Sequence, residues 1–357
     1  MRPTWASVDL AAIRHNVEQL SRAVAPSRLC AVIKADAYGH GDVPVAEAVL
    51  EAGVETLAVA LVEEGVRLRE AGIEAPILVL SEPPIAAAAE MLRWDLTPSA
   101  YRVEFLKALA AAAAVPVDVH LKIDTGMHRV GASVDQLDEL LDAIRPPLRL
   151  AALWTHFAVA DEDPDFTRVQ IKRFQEALGS RSIPTHLANT AGGLLFPEAR
   201  GTMVRAGLGI YGLHPCSETR PLVDLRPALS VVSRVTHVRR LPAGSRPSYG
   251  RRREMETEAT VVTIPIGYAD GVPRLLSATG GEVLVGGGRH PLAGTVTMDQ
   301  IVVDVGDTPV EMGDEVVLLG RQGEEEISAD EWAARVNTIS YEIICDIGPR
   351  VPRKYSE

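Results

Sequence analysis

The strongest constraint on the fold is an alternation that runs through the first two thirds of the sequence. Short runs of β-branched and apolar residues alternate with longer amphipathic stretches, which is typical of βα units around a parallel sheet. Eight such runs can be counted, at residues 29–34, 56–61, 76–80, 95–98, 117–123, 148–155, 183–188 and 203–205. Eight strands with intervening helices predict a (β/α)8 barrel, also called a TIM barrel.

The alternation of strands and helices ends near residue 222. Beyond this point short alternating strands are separated by Gly and Pro turns. One helix interrupts them, with Ser328 as its predicted N-cap and Glu331 completing a capping box. We therefore predict an α/β chain of two domains. They are a cofactor-binding barrel over residues 9–222 and a mostly β domain over residues 223–357, which the N-terminal residues 1–8 would join.

Composition excludes several classes of partner. Acidic residues outnumber basic ones by 48 to 36, for a formal charge of -12, so neither a nucleic-acid surface nor an anionic membrane surface is predicted. The longest apolar run, residues 108–117, is far shorter than the roughly 20 residues of a membrane span. Charged residues among the first twenty argue against a signal peptide. Three widely spaced cysteines suggest neither disulfides nor a zinc site, so we expect a cytoplasmic protein that binds small molecules and no metal.

Lysine is scarce in this chain, which limits imine chemistry to a few positions. Only five of the 36 basic residues are lysines, and the other 31 are arginines, whose guanidinium stays charged in proteins. Lys34 closes the first predicted strand, where burial would lower the pKa of its amine and favour imine formation. The alternative is a strand-end lysine whose amine reaches water. Position alone leaves both interpretations open.

Polar residues follow several other predicted strands, at the end of the barrel where such enzymes place their active sites. They are Lys122 with Asp124, Thr155 with His156, Asn189 with Thr190, and Arg205 with Gly207 and Leu208. The loops after the seventh and eighth strands are the usual phosphate site of these barrels, and Thr190 with the amides of Gly207 and Leu208 would provide it. An amine and a phosphate site together imply pyridoxal 5'-phosphate.

Eight motifs resemble those of the alanine racemase family, in the family's order and over nearly the whole chain. They are AVIKADAYGHG (31–41), LKIDTGMHRVG (121–131), THFA (155–158), MVRAGLGIYGL (203–213), SYG (248–250), IPIGYADG (264–271), TMDQ (297–300) and SYEIICDIGPRVPR (340–353). The resemblance implies pyridoxal phosphate as cofactor and interconversion of L-alanine and D-alanine, which supplies D-alanine for cell-wall peptidoglycan. It also implies a head-to-tail homodimer in which the β-rich domain of one chain completes the other chain's active site.

The resemblance assigns the proton-transfer residues. Lys34 would hold the cofactor as a Schiff base and act as one of two bases, with Tyr249 as the second base on the opposite face of the substrate Cα. Racemisation needs both, because a proton leaves one face and another arrives on the other. A tyrosine has an unperturbed pKa of about 10, so its phenolate needs nearby positive charge or hydrogen-bond donors. The family links this tyrosine to a histidine, here His156, and then to an arginine, here Arg205, which it places against the pyridine nitrogen.

The resemblance also assigns binding residues. Arg129, helped by the backbone amide of Met298, would bind the substrate carboxylate, and Tyr268 would line the substrate entrance. Lys122 matches a position that family members often carry as a carbamate, an anion able to orient Arg129. The cofactor would be contacted by Lys34, Tyr38, His156, Asn189, Thr190, Arg205, Gly207, Leu208 and Tyr341. Tyr249, Tyr268 and Met298 would act in the partner's site.

A few residues depart from the family pattern, and other functions compete. His128 stands where family members commonly have Gly, and Cys216 and residues 251–253 are also unusual, without a role that follows. A single-domain pyridoxal phosphate carrier would lack the β-rich domain that holds Tyr249. A decarboxylase of the same fold group has a Cys-Asp pair like Cys345 and Asp346, but the GPRVPR that follows matches the racemase ending. A racemase for another small amino acid such as serine remains the alternative, because a methyl and a hydroxymethyl side chain differ little.

Overall fold

The computed structural model describes residues 2–357, which form two compact units. The barrel unit contains residues 11–37 and 41–226, and the β unit contains residues 2–10, 38–40 and 227–357. The main change of unit falls between Arg226 and Pro227. Residues 38–40, from the middle of the AVIKADAYGHG motif, belong to the β unit although their sequence neighbours belong to the barrel unit.

Helices and strands alternate through the barrel unit, whereas strands dominate the β unit. The strands, in chain order, are β1 (Thr4–Asp9), β2 (Arg28–Val32), β3 (Thr56–Val59), β4 (Ile77–Val79), β5 (Leu96–Ala100), β6 (Val117–Lys122), β7 (Leu148–Trp154), β8 (Thr185–His186), β9 (Met203–Ala206), β10 (Leu229–Arg234), β11 (His237–Leu241), β12 (Ala259–Ile264), β13 (Glu282–Val285), β14 (Gly288–Pro291), β15 (Ile301–Gly306), β16 (Glu315–Gln322), β17 (Glu325–Ile327) and β18 (Arg353–Ser356). The helices are α1 (Leu10–Val24), α2 (Lys34–Gly39), α3 (Asp42–Glu51), α4 (Val62–Glu70), α5 (Ala88–Arg93), α6 (Val103–Ala112), α7 (Leu137–Ala143), α8 (Pro164–Leu178), α9 (Thr190–Leu195), α10 (Ala329–Val336) and α11 (Ser340–Cys345).

Eight parallel strands form the sheet of the barrel unit, in the order β8-β7-β6-β5-β4-β3-β2-β9. Strand β8 has only two residues, but the segment around it still bonds to the chain at β9. The Thr202 N–H donates to the Thr185 carbonyl at 2.8 Å, and the Arg205 N–H donates to the Ala188 carbonyl at 3.0 Å. These bonds nearly close the sheet on itself, and the predicted barrel is confirmed.

Several strands end earlier than the sequence predicts. Strand β2 ends at Val32, and β7 ends at Trp154. Lys34, Thr155 and His156 therefore lie just beyond the strands, at the carboxyl end of the barrel, and not inside them. Side chains at this end are placed by the local course of the loops, so small backbone details decide where they point.

Two helices show how the sequence forms them. On α1 the residues Leu10, Ile13, Val17 and Leu20 are all buried, which gives this helix one apolar face at helical spacing. The Ser328 hydroxyl accepts a hydrogen bond from the Glu331 N–H at 3.1 Å, so the N-cap of α10 is confirmed. The capping box is wrong, because the Glu331 carboxylate binds Arg289 (2.8 Å) and Arg335 (3.1 Å) instead of the cap.

The β unit contains two sheets. The larger has the order β14-β13-β16-β10-β1-β18, with β17 paired to β16, and the smaller has the order β11-β12-β15. The N-terminal strand β1 is antiparallel to β10 and parallel to β18. Buried side chains such as Val8, Val231, Leu284 and Leu318 form its interior, and the mostly β prediction is confirmed. Among residues 2–357, none of the helices is long and apolar enough to cross a membrane.

Candidate active site

Lys34 lies at the start of an unusual turn after β2. The four residues that follow it, from Ala35 to Tyr38, have φ between 52° and 55°, so α2 is a left-handed turn. This conformation costs a residue other than glycine roughly 1–2 kcal/mol, and contacts elsewhere must hold it. The turn therefore stores strain directly beside Lys34, as functional sites often do.

The Glu64 carboxylate holds the beginning of this turn. It accepts hydrogen bonds from the backbone N–H of Ala35 at 2.6 Å, of Ala60 at 2.8 Å and of Leu61 at 3.0 Å. A carboxylate can satisfy several donors at once, which a neutral side chain of this size cannot. Glu64 thus ties the residue after Lys34 to the loop that follows β3. The sequence gives no sign of this role, because Glu64 looks like an ordinary carboxylate in the first turn of α4.

Lys122 is a buried amine among positive charges. Its side chain lies at the end of β6 with its Nζ 4.2 Å from the centroid of the Trp154 ring. Burial, followed by the charges of Arg205, Arg129 and Lys34, lowers the pKa of Lys122 to about 7. Near neutral pH a large share of this amine is therefore uncharged, and an uncharged amine is a nucleophile.

Arg205 is a buried guanidinium without a carboxylate partner among residues 2–357. Its terminal nitrogens donate to the backbone carbonyls of Thr155 (2.9 Å), His186 (2.6 Å) and Leu187 (2.9 Å). They also donate to the Nδ1 atoms of His186 at 2.9 Å and His156 at 3.2 Å. Burial lowers the pKa of Arg205 to about 10, so it keeps its charge near neutrality. Arg205 is thus held by backbone carbonyls and histidine rings, and not by an ion pair.

One donor of Arg205 is not used by the described part of the chain. The Nη1 and Nη2 atoms have protein acceptors, whereas the Nε–H has none among residues 2–357. This Nε–H is therefore free to donate to an acceptor from outside the chain. A ring nitrogen with a lone pair is an acceptor of the right kind.

His156 is fixed in one protonation state by its neighbour. Burial and the charges of Arg205 and Lys122 hold the pKa of His156 well below its usual value, so the ring is neutral. Because Arg205 can only donate, His156 Nδ1 must accept, and the single ring proton lies on Nε2. The residue therefore presents an N–H donor on its other side.

The carboxylate of Asp124 holds the loop after β6 in place. The Oδ1 atom of Asp124 accepts from the N–H of Gly126 at 2.9 Å, Met127 at 3.0 Å and His128 at 3.1 Å. Burial raises the pKa of this carboxyl, but these backbone bonds outweigh it and hold the pKa below the usual value. His128 has φ of 55°, where glycine is favoured, and its ring approaches Asp124 Oδ2 at 3.1 Å. Arg129, the next residue, is exposed and makes no hydrogen bond or ion pair to residues 2–357, so its fork can receive a carboxylate.

The predicted phosphate residues of the barrel unit partly come together. The Gly207 N–H donates to the Thr190 hydroxyl at 3.1 Å, and both groups are buried. Leu208 follows directly and begins a 3-10 turn over Leu208–Tyr211. The side-chain Oδ1 atom of Asn189 caps α9 by accepting from the Gly192 N–H at 2.9 Å. Asn189 therefore positions this loop through its side-chain oxygen.

Two predicted phosphate ligands lie in the β unit. The rings of Tyr38 and Tyr341 are 6.2 Å apart between centroids. Burial, followed by Tyr341 and Cys345, raises the pKa of Tyr38, so its hydroxyl keeps its proton and can donate. These two tyrosines form one aromatic pair, and their contact with a cofactor stays a prediction.

Three further predicted residues share the surface of the β unit. Tyr249 is 73% exposed, Met298 is 52% exposed and Tyr268 is 42% exposed. The Tyr268 N–H donates to the Thr297 carbonyl at 2.9 Å, which joins the IPIGYADG and TMDQ motifs. The Thr295 hydroxyl donates to the Tyr249 carbonyl at 2.7 Å and ties the SYG motif to the same strand connection. Such large exposed side chains are typical of surfaces that another molecule covers.

The fold and the site define a class of protein: a barrel enzyme with a β-rich second unit, whose strand-end cations Lys34, Lys122, Arg129 and Arg205 suit anionic groups. Among residues 2–357, no cluster of three His, Cys, Asp or Glu could hold a metal. Two family models match the chain, "Alanine racemase, N-terminal domain" over residues 8–215 and "Alanine racemase, C-terminal domain" over residues 228–355. The chain belongs to the alanine racemase family, as its motifs predicted, and is an amino-acid racemase, which is an isomerase.

Known relatives resemble this chain over its whole length. An alanine racemase of Symbiobacterium thermophilum is 46% identical over 99% of this chain and 97% of the relative. The crystal structure of alanine racemase from Bacillus anthracis with bound L-Ala-P is 38% identical, with a TM-score of 0.93, and covers 100% of this chain and 96% of that chain. A histidine racemase from Leuconostoc mesenteroides is 28% identical, with a TM-score of 0.91, and covers 100% of this chain and 98% of that chain. The same fold thus also occurs in a racemase named for another amino acid.

Proposed function

We propose that this chain interconverts L-alanine and D-alanine with pyridoxal 5'-phosphate bound at Lys34. The observation that carries the proposal is the buried Arg205, which is positively charged, has no carboxylate partner among residues 2–357 and keeps one donor unused. A guanidinium in this state suits a cofactor with a ring nitrogen, and Lys34 offers the amine that such a cofactor needs. Membership in the alanine racemase family supplies the substrate.

The residues present fit this cofactor by charge. Lys34, Arg129, Arg205 and the partly protonated amine of Lys122 give this end of the barrel a positive charge, and the carboxylate of Asp124 is occupied by three backbone N–H groups. A bound phosphate would offset this positive charge. The groups that would hold the cofactor are the amine of Lys34, the Nε–H of Arg205, His156, Tyr38, Asn189, Thr190, Gly207, Leu208 and Tyr341.

When bound, the cofactor would withdraw electrons from the substrate and make its Cα–H acidic. Arg205 would keep its own proton and donate a hydrogen bond to the ring nitrogen. Its pKa of about 10 lies well above neutrality, so Arg205 would not protonate that nitrogen. The weaker electron withdrawal would favour return of a proton to Cα over transamination.

Two bases on opposite faces of Cα would exchange the proton. Lys34 serves one face, and Tyr249 of the partner subunit serves the other. In the single chain Tyr249 is 73% exposed, so its side chain is available to a second subunit. The neutral His156 would donate its Nε2–H to the phenolate of that tyrosine, with Arg205 behind it as a positive charge. This arrangement makes the enzyme a head-to-tail homodimer with shared active sites.

The substrate carboxylate would bind the fork of Arg129 and the backbone amide of the partner's Met298, with the partner's Tyr268 at the entrance. Lys122 would carry a carbamate, formed when its neutral amine attacks carbon dioxide and the resulting N–H proton passes to solvent. The carbamate anion would orient Arg129 and remove one positive charge from the cluster. Without it, the amine of Lys122 would oppose Arg129 whenever it is protonated.

In the cell we expect a cytoplasmic enzyme that supplies D-alanine for peptidoglycan. A racemase for another small amino acid such as serine is the second candidate. The likeness to a histidine racemase is the reason to test histidine beside it. A methyl and a hydroxymethyl side chain differ by too little for this site to be assigned from its charges. Measured turnover of each amino acid therefore decides between the two candidate functions.

The test is chiral analysis of purified enzyme with pyridoxal phosphate and each of L-alanine, D-alanine, L-serine and L-histidine. We expect the alanine isomers to interconvert with a kcat/KM that exceeds that of serine and histidine by at least about tenfold. Lys34→Ala should abolish turnover and the visible absorption of bound cofactor, whereas Lys172→Ala, on an exposed face of α8, should leave both unchanged. Cofactor absorption that survives in Lys34→Ala, or turnover of serine or histidine that surpasses alanine, would overturn the proposal.

A further inference from the structure

Two histidines extend the contacts of Arg205 toward the opposite end of the barrel. The His186 Nδ1 lies 2.9 Å from Arg205 Nη1, and the His186 Nε2 lies 2.8 Å from the Nδ1 of His120 on β6. Both rings belong to the barrel unit, and no sequence motif singled out either of them. Because 66 residues separate the two histidines, only the barrel brings them together.

Arg205 fixes the direction of this chain of hydrogen bonds. A guanidinium has five N–H donors and no acceptor, so the His186 Nδ1 must accept. The ring proton of a neutral His186 then lies on Nε2 and is donated to His120. His120 Nδ1 must accept in turn, which leaves the proton of His120 on its own Nε2. Each ring is therefore restricted to a single tautomer.

The surroundings favour the neutral form of both rings. Burial, followed by the charge of Arg205, holds the pKa of His186 well below its usual value, and burial lowers the pKa of His120 to about 4. Protonation of His186 would turn its Nδ1–H against an N–H of Arg205. The plane of the His186 ring is set by Trp154, which stacks on it at 5.3 Å between centroids with an interplanar angle of 16°.

The chain of hydrogen bonds from Arg205 ends at His120. It lines a cavity of about 210 Å³ at the amino-terminal mouth of the barrel, together with Arg28, Asp118 and His186. No residue in the described part of the chain accepts from its Nε2. The charged groups that face His120 are Asp118 on its own strand, Arg28 on the wall of the same cavity and Arg205 behind His186, and none of them hydrogen-bonds the Nδ1 atom that receives His186.

We propose that His120 is a positioning residue for Arg205, which it holds in place through His186. Arg205 requires the Nδ1 of His186 as an acceptor, and His120 satisfies the Nε2–H that this tautomer leaves on the other side of the ring. Without His120 that N–H has no acceptor, and the His186 ring is no longer held against Arg205. With His120 in place, the Arg205 Nε–H stays available for the cofactor ring. The proposal rests on the proposed function, because only that function gives Arg205 a cofactor ring to bind. The tautomers of His186 and His120 exist without any cofactor.

The test compares variants that keep or remove the acceptor. In His120→Asn the side-chain oxygen stands near the position of the lost Nδ1, whereas His120→Leu leaves the His186 N–H without an acceptor. His237→Leu, at an exposed position on β11, is the matched control. Cofactor-free protein labelled with ¹⁵N-histidine reports each tautomer, with the His186 signal identified by its absence in His186→Gln.

We expect the Nε2–H tautomer for His186 in the wild type and in His120→Asn, and a shifted or mixed signal in His120→Leu. For alanine, kcat in His120→Leu should fall about tenfold with KM changed less than about twofold, and His120→Asn should recover most of the loss. An Nδ1–H tautomer for His186 in the wild type would overturn the proposal by itself. Equal loss of kcat in both variants would overturn it as well, because a merely structural role would not distinguish them. A wild type that does not racemise alanine would overturn the proposed function too, before any variant is made.

Discussion

The carboxylate of Glu64 accepts a 2.6 Å hydrogen bond from the backbone N–H of Ala35, the residue that follows Lys34. The two residues lie on different βα units, and their contact holds the start of a left-handed turn. Four consecutive residues of that turn have positive φ and none of them is glycine. Glu64 therefore helps to place Lys34 after strand β2.

Glu64→Ala should impair both the fold and turnover. The substitution leaves three backbone N–H groups without their acceptor, which should lower the free energy of unfolding by about 1–3 kcal/mol. Relaxation of the turn would move Lys34, so kcat should fall at least about tenfold. Denaturant unfolding and alanine racemisation measure the two effects. Glu63→Ala, at the exposed neighbouring position, is the control, and equal kcat in the two variants would contradict this role.

Lys122→Met should stabilise the cofactor-free protein in buffer without bicarbonate. The pKa of Lys122 is about 7 in the folded chain, against about 10.4 for an unperturbed lysine. Between these values the unfolded chain binds more protons, so wild-type stability rises with pH from about 7 to about 10. The penalty for the buried charge is fully present below that window. We expect Lys122→Met to gain about 2–4 kcal/mol at pH 6 and much less near pH 10. A gain that does not change with pH would contradict the lowered pKa.

The same lowered pKa predicts where the carbamate forms. The amine of Lys122 is mostly neutral above pH 7 and increasingly protonated below it. With ¹³C-bicarbonate, a carbamate carbon should give an NMR signal at pH 8 that weakens at pH 6 and is missing in Lys122→Met. Lys172→Met should keep the signal, because that amine is on the surface. A signal that persists in Lys122→Met would assign it to another group and contradict the prediction.

His128→Gly should stabilise the chain. His128 has φ of 55°, and its ring, which is 79% exposed, gains little from Asp124. Glycine removes the backbone strain, so the free energy of unfolding should rise by about 0.5–1 kcal/mol. His128→Ala keeps the strain and loses the ring, and it should be no more stable than the wild type. If thermal unfolding places the Ala variant above the Gly variant, the strain is not the dominant effect.

The local features of the fold could be predicted from the sequence, because their causes are local. Apolar alternation located all eight barrel strands, and Ser328 caps α10 as its sequence indicates. The end of β2 was predicted at Lys34 but falls at Val32, since the run AVIK gives no sign of the left-handed turn that follows. That turn depends on Glu64, which is 29 residues away from Ala35.

The candidate site was predicted mostly through motifs, and its supporting contacts were not. The chemistry of Lys34 and Arg205 can be named from a strand end and a family pattern. Arg205 has no carboxylate partner among residues 2–357 and bonds to His186 and His156 instead, and this depends on the barrel bringing β7, β8 and β9 side by side. His120 and His186 have no short-range signal at all, because each looks like an ordinary strand histidine. Long-range hydrogen bonds of this kind need the structure.

Mixing two inactive variants tests the central claim most directly. If each site joins Lys34 of one subunit to Tyr249 of the other, then Lys34→Ala and Tyr249→Phe homodimers should both lack alanine racemisation. In a mixed dimer one site regains both residues and the other has neither. After subunit exchange of equal amounts, activity should recover to about a quarter of the wild type, since half of the dimers are mixed and each has one working site. Tagged subunits verify that mixed dimers form. If mixed dimers form and no alanine racemisation returns, the shared two-base site is contradicted.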